Sequence, residues 1–291
     1  EKYNSVKDIF NKASDIIGMD MAKIIFDGDQ ATLGRTDITQ PAVTLINIAV
    51  KNLLKEFEIE STACAGHSLG EWTAYSDAGI LSDEDVLLAV SLRGKYMNKA
   101  GEDACGTQSE SGSFSSMAAV IGLELEEIKN ALKDIEGIYT ANWNAPKQTA
   151  ISGTQQGLAD AETALKEAGA RRVIRLQVSA PCHSPLLEPA KENFSSFLDT
   201  LEFKNPVKTI YSNVSGDVIT SGAEAKELAL KQIVAPVLWV AEEEKILSGN
   251  YDKIIETGPG NILSGLMKKM NREIKILPCG TTQQIEEIKC C

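Results

Sequence analysis

The sequence predicts an α/β protein in which a large domain built on a parallel sheet is interrupted by a compact α+β unit. Three observations predict it. Amphipathic helical runs alternate with short apolar strand candidates on both sides of the middle of the chain. A Gly-x-Ser-x-Gly pentapeptide, Gly66 to Gly70, stands where a strand passes into a helix. Residues 117–178 carry their own β-α-β-β-α-β order, the ferredoxin-like pattern.

Taken in order, Val6, Ile9, Phe10, Ala13 and Ile16 recur at three- and four-residue steps and predict an opening amphipathic helix. A second helix is expected over Pro41 to Phe57, with proline in its first turn, where no amide hydrogen is needed. Ser61 to Ala65 reads as a strand, Gly66 to Gly70 as a tight turn, and Glu71 to Ala78 as the helix that follows. The next helix, from Ser82 to about Lys99, opens on a capping serine with Asp85 three residues on. Gly101 to Ser116, rich in Gly, Ser, Thr and acids, is expected to be a flexible connection.

The insert then reads as strand Met117 to Ile121, helix Glu124 to Ile135, strands Ile138 to Trp143 and Gln148 to Ser152, helix Gly157 to Gly169, and strand Arg172 to Val178. Further strands of the large domain are expected at Thr209 to Val214, Ile254 to Glu256 and Ile274 to Leu277. This divides the chain into a large domain of residues 1–112 with 179–291 and a ferredoxin-like subdomain of residues 113–178.

Composition narrows the function. The 291 residues hold 29 basic and 41 acidic side chains, a net charge of −12, with 5% aromatics. That balance opposes a nucleic-acid or anionic-membrane partner, whose phosphates need clustered Lys and Arg. No apolar run reaches the roughly 18 residues of a membrane span. Cys64, Cys105, Cys182, Cys279, Cys290 and Cys291 lack the spacing of a disulfide framework or a zinc site and read as the thiols of a cytoplasmic protein, with the last two in a frayed tail. No metal is expected. With only His67 and His183 present, any imidazole chemistry falls to one of them.

Flanking glycines would let the chain turn sharply enough to expose the Ser68 hydroxyl at a helix N-terminus, with the Leu69 backbone N–H aimed at a developing oxyanion. This makes the large domain hydrolase-like and Ser68 a candidate nucleophile, against the plainer reading of a structural turn. His67 should diverge from Ser68 on so tight a turn and pack behind it. His183, in a loop stiffened by Pro181 and Pro185, is the candidate general base, against a merely buried histidine. More than a hundred residues follow His183 without another histidine, which counts against an ordinary esterase or lipase. Arg93 could pair with a substrate carboxylate through two parallel hydrogen bonds, Gly94 beside it permitting close approach; residue pattern alone favours a surface arginine.

Gly66-His67-Ser68-Leu69-Gly70-Glu71, Leu92-Arg93-Gly94, Asn142-Trp143-Asn144-Ala145-Pro146, Ser179-Ala180-Pro181-Cys182-His183, Gln232 to Trp239 and Glu256-Thr257-Gly258-Pro259-Gly260 resemble, in order, the motifs of malonyl-CoA:acyl-carrier-protein transacylases. Gln40-Pro41-Ala42 also looks like theirs. The resemblance implies that Ser68, deprotonated by His183, attacks the malonyl-CoA thioester, that the Leu69 N–H holds the oxyanion, and that the phosphopantetheine thiol of acyl carrier protein then takes the malonyl group. It implies Arg93 and Asn144 as substrate-binding residues and the Gln232 backbone carbonyl as the group orienting His183. No cofactor is implied beyond the substrates themselves, and the expected enzyme is a cytoplasmic monomer of fatty-acid or polyketide synthesis.

Two departures qualify the resemblance. Cys182 is smaller than the phenylalanine that precedes the histidine in malonyl-selective relatives, so malonyl is the expected acyl group with a substituted malonyl as the alternative. The family's first strand and its Gly-Gln-Gly-Ser-Gln loop, whose glutamine supplies a second oxyanion donor, have no counterpart ahead of Glu1, so a truncated enzyme is expected. Losing one such donor typically costs about 10²- to 10³-fold in rate. The competing readings are a serine thioesterase or hydrolase of acyl-CoA or acyl-carrier-protein, and an inactive truncated homologue. Docking of an acidic carrier protein on an acidic chain calls for a local basic patch, with Arg171, Arg172, Lys268 and Lys269 as candidates.

Overall fold

The computed structural model describes residues 3–105, 116–178 and 180–289. The chain opens with α1 (Asn4–Ile17), which turns Ile9 and Ala13 inward. Next come α2 (Met21–Asp27) and α3 (Gln30–Leu33), capped by the Asp20 and Asp29 side chains on the Lys23 and Thr32 amides. The long α4 runs from Thr36 to Glu56 (Thr36–Glu56), starting ahead of the expected Pro41. Proline there forgoes a single helical hydrogen bond, and Ile38 and Gln40 lie on the buried face continued by Thr44, Leu45, Asn47 and Ile48, so packing holds the extra turn.

Strand β1 (Ala63–Cys64) runs into the elbow and α5 (Gly70–Asp77). Helix α6 (Asp83–Cys105) starts at Ser82, whose hydroxyl accepts from the Asp85 N–H as expected. It continues through Gly101 to Cys105, which corrects the first part of the expected flexible connection. Gly101 is no breaker there: a Cβ on it would lie 2.9 Å from the Ala180 Cα, so its role is close packing against the strand-to-His183 loop. Residues 106–115 of that connection, Ser179, and the tail cysteines Cys290 and Cys291 lie outside the described residues, as does the expected domain boundary at 112/113.

The inserted unit follows the expected order: β2 (Met117–Ile121), α7 (Leu125–Leu132), β3 (Ile138–Ala145), β4 (Gln148–Gly153), α8 (Gln155–Glu167) and β5 (Arg172–Leu176). Its antiparallel sheet has the order β3-β4-β2-β5, with Ile128, Leu132, Leu158, Ala161 and Leu165 of the two helices packed on one face. After a single 3₁₀ turn at Pro185–Leu187 the large domain resumes with α9 (Glu188–Leu198), β6 (Thr209–Ile210), α10 (Gly222–Lys231), α11 (Trp239–Ser248), β7 (Ile254–Thr257), α12 (Ile262–Met270), β8 (Ile276–Cys279) and α13 (Thr282–Lys289).

Parallel pairing joins β1 to β6 and β7 to β8. Strand β6 is shorter than expected because the Ser212 N–H donates to the Asp217 carbonyl and turns the chain back. The largest core lies among α4, α5, α6 and α9, where Trp72 packs edge-on against Tyr75 and Phe194 with ring centroids 5.6 Å apart in each case. The antiparallel sheet and the β1–β6 pair meet through the stretch after α10: Val237 exchanges backbone hydrogen bonds with Ala141 and Trp143 of β3, and the Leu238 N–H donates to the Asn213 carbonyl beyond β6.

Candidate active site

The elbow closes in a way that demands glycine at its first position. A Cβ on Gly66 would lie 2.1 Å from the Gly70 carbonyl carbon, so residue 66 must be glycine for the turn to close. Ser68 at the apex has φ of +50°, a left-handed conformation that a non-glycine residue adopts only when its surroundings hold it there. Its hydroxyl points at His183: Oγ and Nε2 are 2.7 Å apart. His183 is itself left-handed, with φ of +58°, and 2% exposed.

The partners of His183 settle its tautomer. Nδ1 faces two main-chain carbonyls, Gln232 at 2.8 Å and Ala235 at 3.2 Å, so Nδ1 carries the hydrogen and Nε2 is free to accept from Ser68. Burial, and after it the Arg93 cation, push the imidazole down to about 3, which keeps it neutral through the physiological range. A neutral Nε2 hydrogen-bonded to a serine hydroxyl can take its proton as the oxygen attacks and return it to a leaving group. Among the described residues, nothing accepts a hydrogen bond from the Leu69 N–H at the start of α5, so this donor is open to a ligand oxygen.

Arg93, on α6, is 1% exposed, which rules out the surface reading. It reaches this depth because Gly94 lets α6 approach α4: a Cβ there would lie 2.9 Å from the Thr36 carbonyl. The guanidinium donates to Gln40 Oε1 at 2.8 Å and Gln232 Oε1 at 3.1 Å, both neutral, while its buried Nε has no partner among the described residues. Burial lowers it to about 10, so it remains a cation at neutral pH. A buried cation held by two amides, with a donor to spare, is a site for an anion.

The expected residues fall into two groups. Ser68, His183, the Gln232 carbonyl and Arg93 form one connected set, because the Gln232 side chain also donates to the Ser68 carbonyl at 3.1 Å and to Glu71 at 2.6 Å. Asn144 stands beside it: its Oδ1 accepts from Nε2 of His67 at 2.7 Å, and the His67 ring meets Trp239 edge-on at 5.5 Å. His67 therefore packs behind the turn as expected. The Glu256 to Gly260 motif serves the scaffold, its carboxylate accepting from the Leu263 and Ser264 amides at the start of α12.

Sequence reading passed over Gln40, Glu71 and Asn213 as members of the site. A helix starting at Pro41 leaves Gln40 outside it, whereas α4 carries Gln40 on its buried face. Glu71 is fully buried, accepts from Tyr75 Oη, the Asn213 N–H and Gln232 Nε2, and is pushed up to about 7 by burial.

An α/β fold with a serine on a strand–turn–helix elbow, hydrogen-bonded to a backbone-oriented histidine, defines an enzyme class that moves acyl groups through a serine. A family model described as acyl transferase domain matches residues 5–276, and the chain belongs to that family. Over 98% of its length it is 37% identical to the malonyl CoA-acyl carrier protein transacylase of Bacillus subtilis, covering 89% of that protein. It superposes on the malonyl CoA-acyl carrier protein transacylase of Coxiella burnetii with a TM-score of 0.91, 30% identity, and coverage of 99% of this chain and 90% of that one. A malonyl-transacylase solved in complex with a type II PKS acyl-carrier protein gives a TM-score of 0.89 at 29% identity, over 98% of this chain and 90% of that one. The α/β fold and the acyltransferase activity expected from sequence are thereby borne out.

Proposed function

We propose that this chain transfers a malonyl group from malonyl-CoA to the phosphopantetheine thiol of an acyl carrier protein, through a malonyl ester on Ser68. The observation that carries the reading is Arg93, a buried guanidinium that among the described residues donates only to glutamines and is linked to Ser68 through the Gln232 side chain. A hydrolase of neutral acyl chains would have no use for a buried cation at that place, whereas the free carboxylate of malonate would complete it.

In the first half-reaction Ser68 Oγ attacks the thioester carbonyl while His183 Nε2 takes its proton, and the Leu69 N–H stabilises the oxyanion. The carbon–sulfur bond then breaks and the CoA thiolate receives the proton from His183. In the second, His183 takes the proton of the phosphopantetheine thiol, the sulfur attacks the malonyl ester, and the proton passes to Ser68 as its ester bond breaks. Asn144 would act on substrate from beside His67. These steps as proposed call for no cofactor and no metal, since the acyl group arrives already activated as a thioester.

For the carrier protein, strand register supports one basic surface. Gln148, Ile121 and Arg172 stand side by side across β4, β2 and β5, and Lys269 donates to the Gln148 side chain. Arg172 thus stands two strands, about 10 Å at the backbone, from the Gln148 whose side chain Lys269 meets, a local cationic edge on an acidic chain. No helix among the described residues is long and apolar enough to cross a membrane; the reading places the enzyme in the cytoplasm as a monomer.

Intact-protein mass after incubation with malonyl-CoA tests the proposal. A malonyl adduct that disappears on adding holo acyl carrier protein, with malonyl appearing on the carrier, supports transfer. Turnover to free malonate without carrier, or no adduct at all, overturns it, and Ser68→Ala should abolish the adduct.

A further inference from the structure

We propose that Asn213 is a positioning residue that clamps the nucleophile elbow, holding Ser68 in its left-handed conformation and coupling it to the His183 side of the site. The inference rests on the acyl-Ser68 chemistry proposed above and adds to it a residue outside the reacting set.

Asn213 lies just beyond β6, the parallel neighbour of the strand that enters the elbow, and is fully buried. Its carboxamide makes every hydrogen bond that an asparagine side chain can make. Oδ1 accepts from the Ser68 N–H at 2.6 Å and from Gln232 Nε2 at 3.3 Å. Nδ2 donates to the Gly66 carbonyl at 2.8 Å and to Glu242 Oε1 at 2.8 Å. The amide orientation is unambiguous, because a flip would set Nδ2 against two donors. Thus one planar group bridges the residues on either side of His67, from Gly66 C=O to Ser68 N–H, across the segment that carries the strained φ.

The Asn213 backbone is held as firmly. Its N–H donates to Glu71 Oε2 at 3.1 Å, and its carbonyl accepts from the Leu238 N–H at 2.8 Å. Glu71 Oε2 also accepts from Gln232 Nε2, and the Gln232 carbonyl orients His183. Nucleophile and base therefore hang on one buried polar network, with Asn213 on the serine side and Gln232 on the histidine side. No other side chain fits the place: aspartate lacks the two donors, leucine has the size without the bonds, and glutamine is one carbon too long. Releasing the Ser68 N–H would let the elbow relax from φ +50°, moving Oγ away from Nε2, and a misplacement near 1 Å can cost about 10²-fold in rate.

The test compares wild type with Asn213→Ala and Asn213→Asp by time-resolved intact mass, using two reagents: malonyl-CoA, and a fluorophosphonate, which asks only for an activated serine. Clamping predicts that both variants reach the full extent of labelling with either reagent but at a rate about 10²-fold lower for alanine, with a smaller loss for aspartate, which keeps the acceptor for Ser68. The malonyl-CoA concentration at half-maximal rate should change far less than the rate, since Arg93 is held by Gln40 and Gln232 and makes no hydrogen bond to Asn213. Wild-type rates with reduced extent of labelling would indicate partial unfolding only and overturn the clamp, as would unchanged rates. If malonyl-CoA fails to label wild type, the transfer reading falls, and the fluorophosphonate rates still decide the role of Asn213.

Discussion

Nδ1 of His183 donates to the backbone carbonyl of Gln232 at 2.8 Å, and the side chain of the same Gln232 accepts from Arg93 at 3.1 Å. The histidine is thus oriented by a peptide group where many serine enzymes use a carboxylate. An acid in that place would favour the imidazolium; a carbonyl fixes the tautomer without adding charge. The group proposed to recognise the acyl carboxylate and the group proposed to move protons meet at one residue, so each feels the other.

That coupling predicts a pH effect. His183 is pushed down to about 3, first by burial and then by the Arg93 cation. Replacing Arg93 with Met removes the second cause and leaves the first, so the imidazolium becomes easier to form and the acid limb of Ser68 acylation should move to higher pH. The rate is best followed with acetyl-CoA, which has no carboxylate to lose. An acid limb that does not move would show that the Arg93 field fails to reach His183.

Recognition of the carboxylate is tested by substrate comparison. Arg93→Ala should slow malonyl transfer by about 10²- to 4 × 10³-fold, because breaking a buried charged pair by removing one partner costs roughly 3 to 5 kcal/mol. Acetyl transfer should be spared. Equal losses for the two acyl groups would deny Arg93 a part in specificity.

Gln40 offers a test in the opposite sense. Its Oε1 accepts from Arg93 at 2.8 Å. In Gln40→Glu a carboxylate would sit at that distance and neutralise the guanidinium from within, so the preference for malonyl over acetyl in kcat/KM should fall by about tenfold or more, the scale of one charge-assisted hydrogen bond. An undiminished preference would mean that the substrate carboxylate does not depend on the charge of Arg93.

These residues show what was legible in the sequence. The insert was, because a strict two- and 3.6-residue periodicity with glycines and capping residues between elements leaves few alternatives, and β2 spans Met117 to Ile121 as read. Ser68 and His183 were, because a tight turn and a scarcity of histidines are local facts. Arg93 was legible only as a residue type: its burial depends on Gly94 admitting α4, a contact between helices that no local pattern records. Gln40, Glu71 and Asn213 escaped for the same reason. Each is an ordinary polar residue until strand pairing and helix packing bring it against the elbow, and Pro41, read as a helix start, pointed away from Gln40.

The buried acid predicts how stability follows pH. Glu71 is raised from 4.5 to about 7, mainly by burial, with Tyr75, Gln232 and the Asn213 N–H opposing. The folded state therefore holds a proton that the unfolded chain releases above 4.5, and this contribution is fully present below 4.5 and lost as pH rises through about 7. Glu71→Gln removes the titration while retaining the contacts: the amide oxygen can accept from Asn213 and Gln232, and its NH₂ can donate to Tyr75. The fall of Tm between pH 5 and 8 should be shallower in the variant than in wild type. Some slope will remain, because Glu243 is raised to about 8 by its own burial. A slope as steep as the wild type's would assign the effect elsewhere.

The two glycines of the elbow should respond in opposite ways to the same substitution. A methyl on Gly66 would meet the Gly70 carbonyl carbon at 2.1 Å and the Gly70 oxygen at 2.3 Å, both backbone atoms that cannot swing aside. Gly66→Ala should thus cost about 3 kcal/mol or more and displace Ser68, so that Tm and the rate of Ser68 acylation fall together. At Gly70 a methyl would meet nothing within 4 Å, and the residue opens α5 with a φ that alanine accepts. There Gly70→Ala should leave Tm unchanged or raise it, the gain being the roughly 0.4 to 1 kcal/mol that comes from restricting the unfolded chain. Thermal unfolding of the two variants side by side checks both. A tolerated Gly66→Ala would show that the elbow can open without losing its serine, and with it the need for the left-handed Ser68 would go.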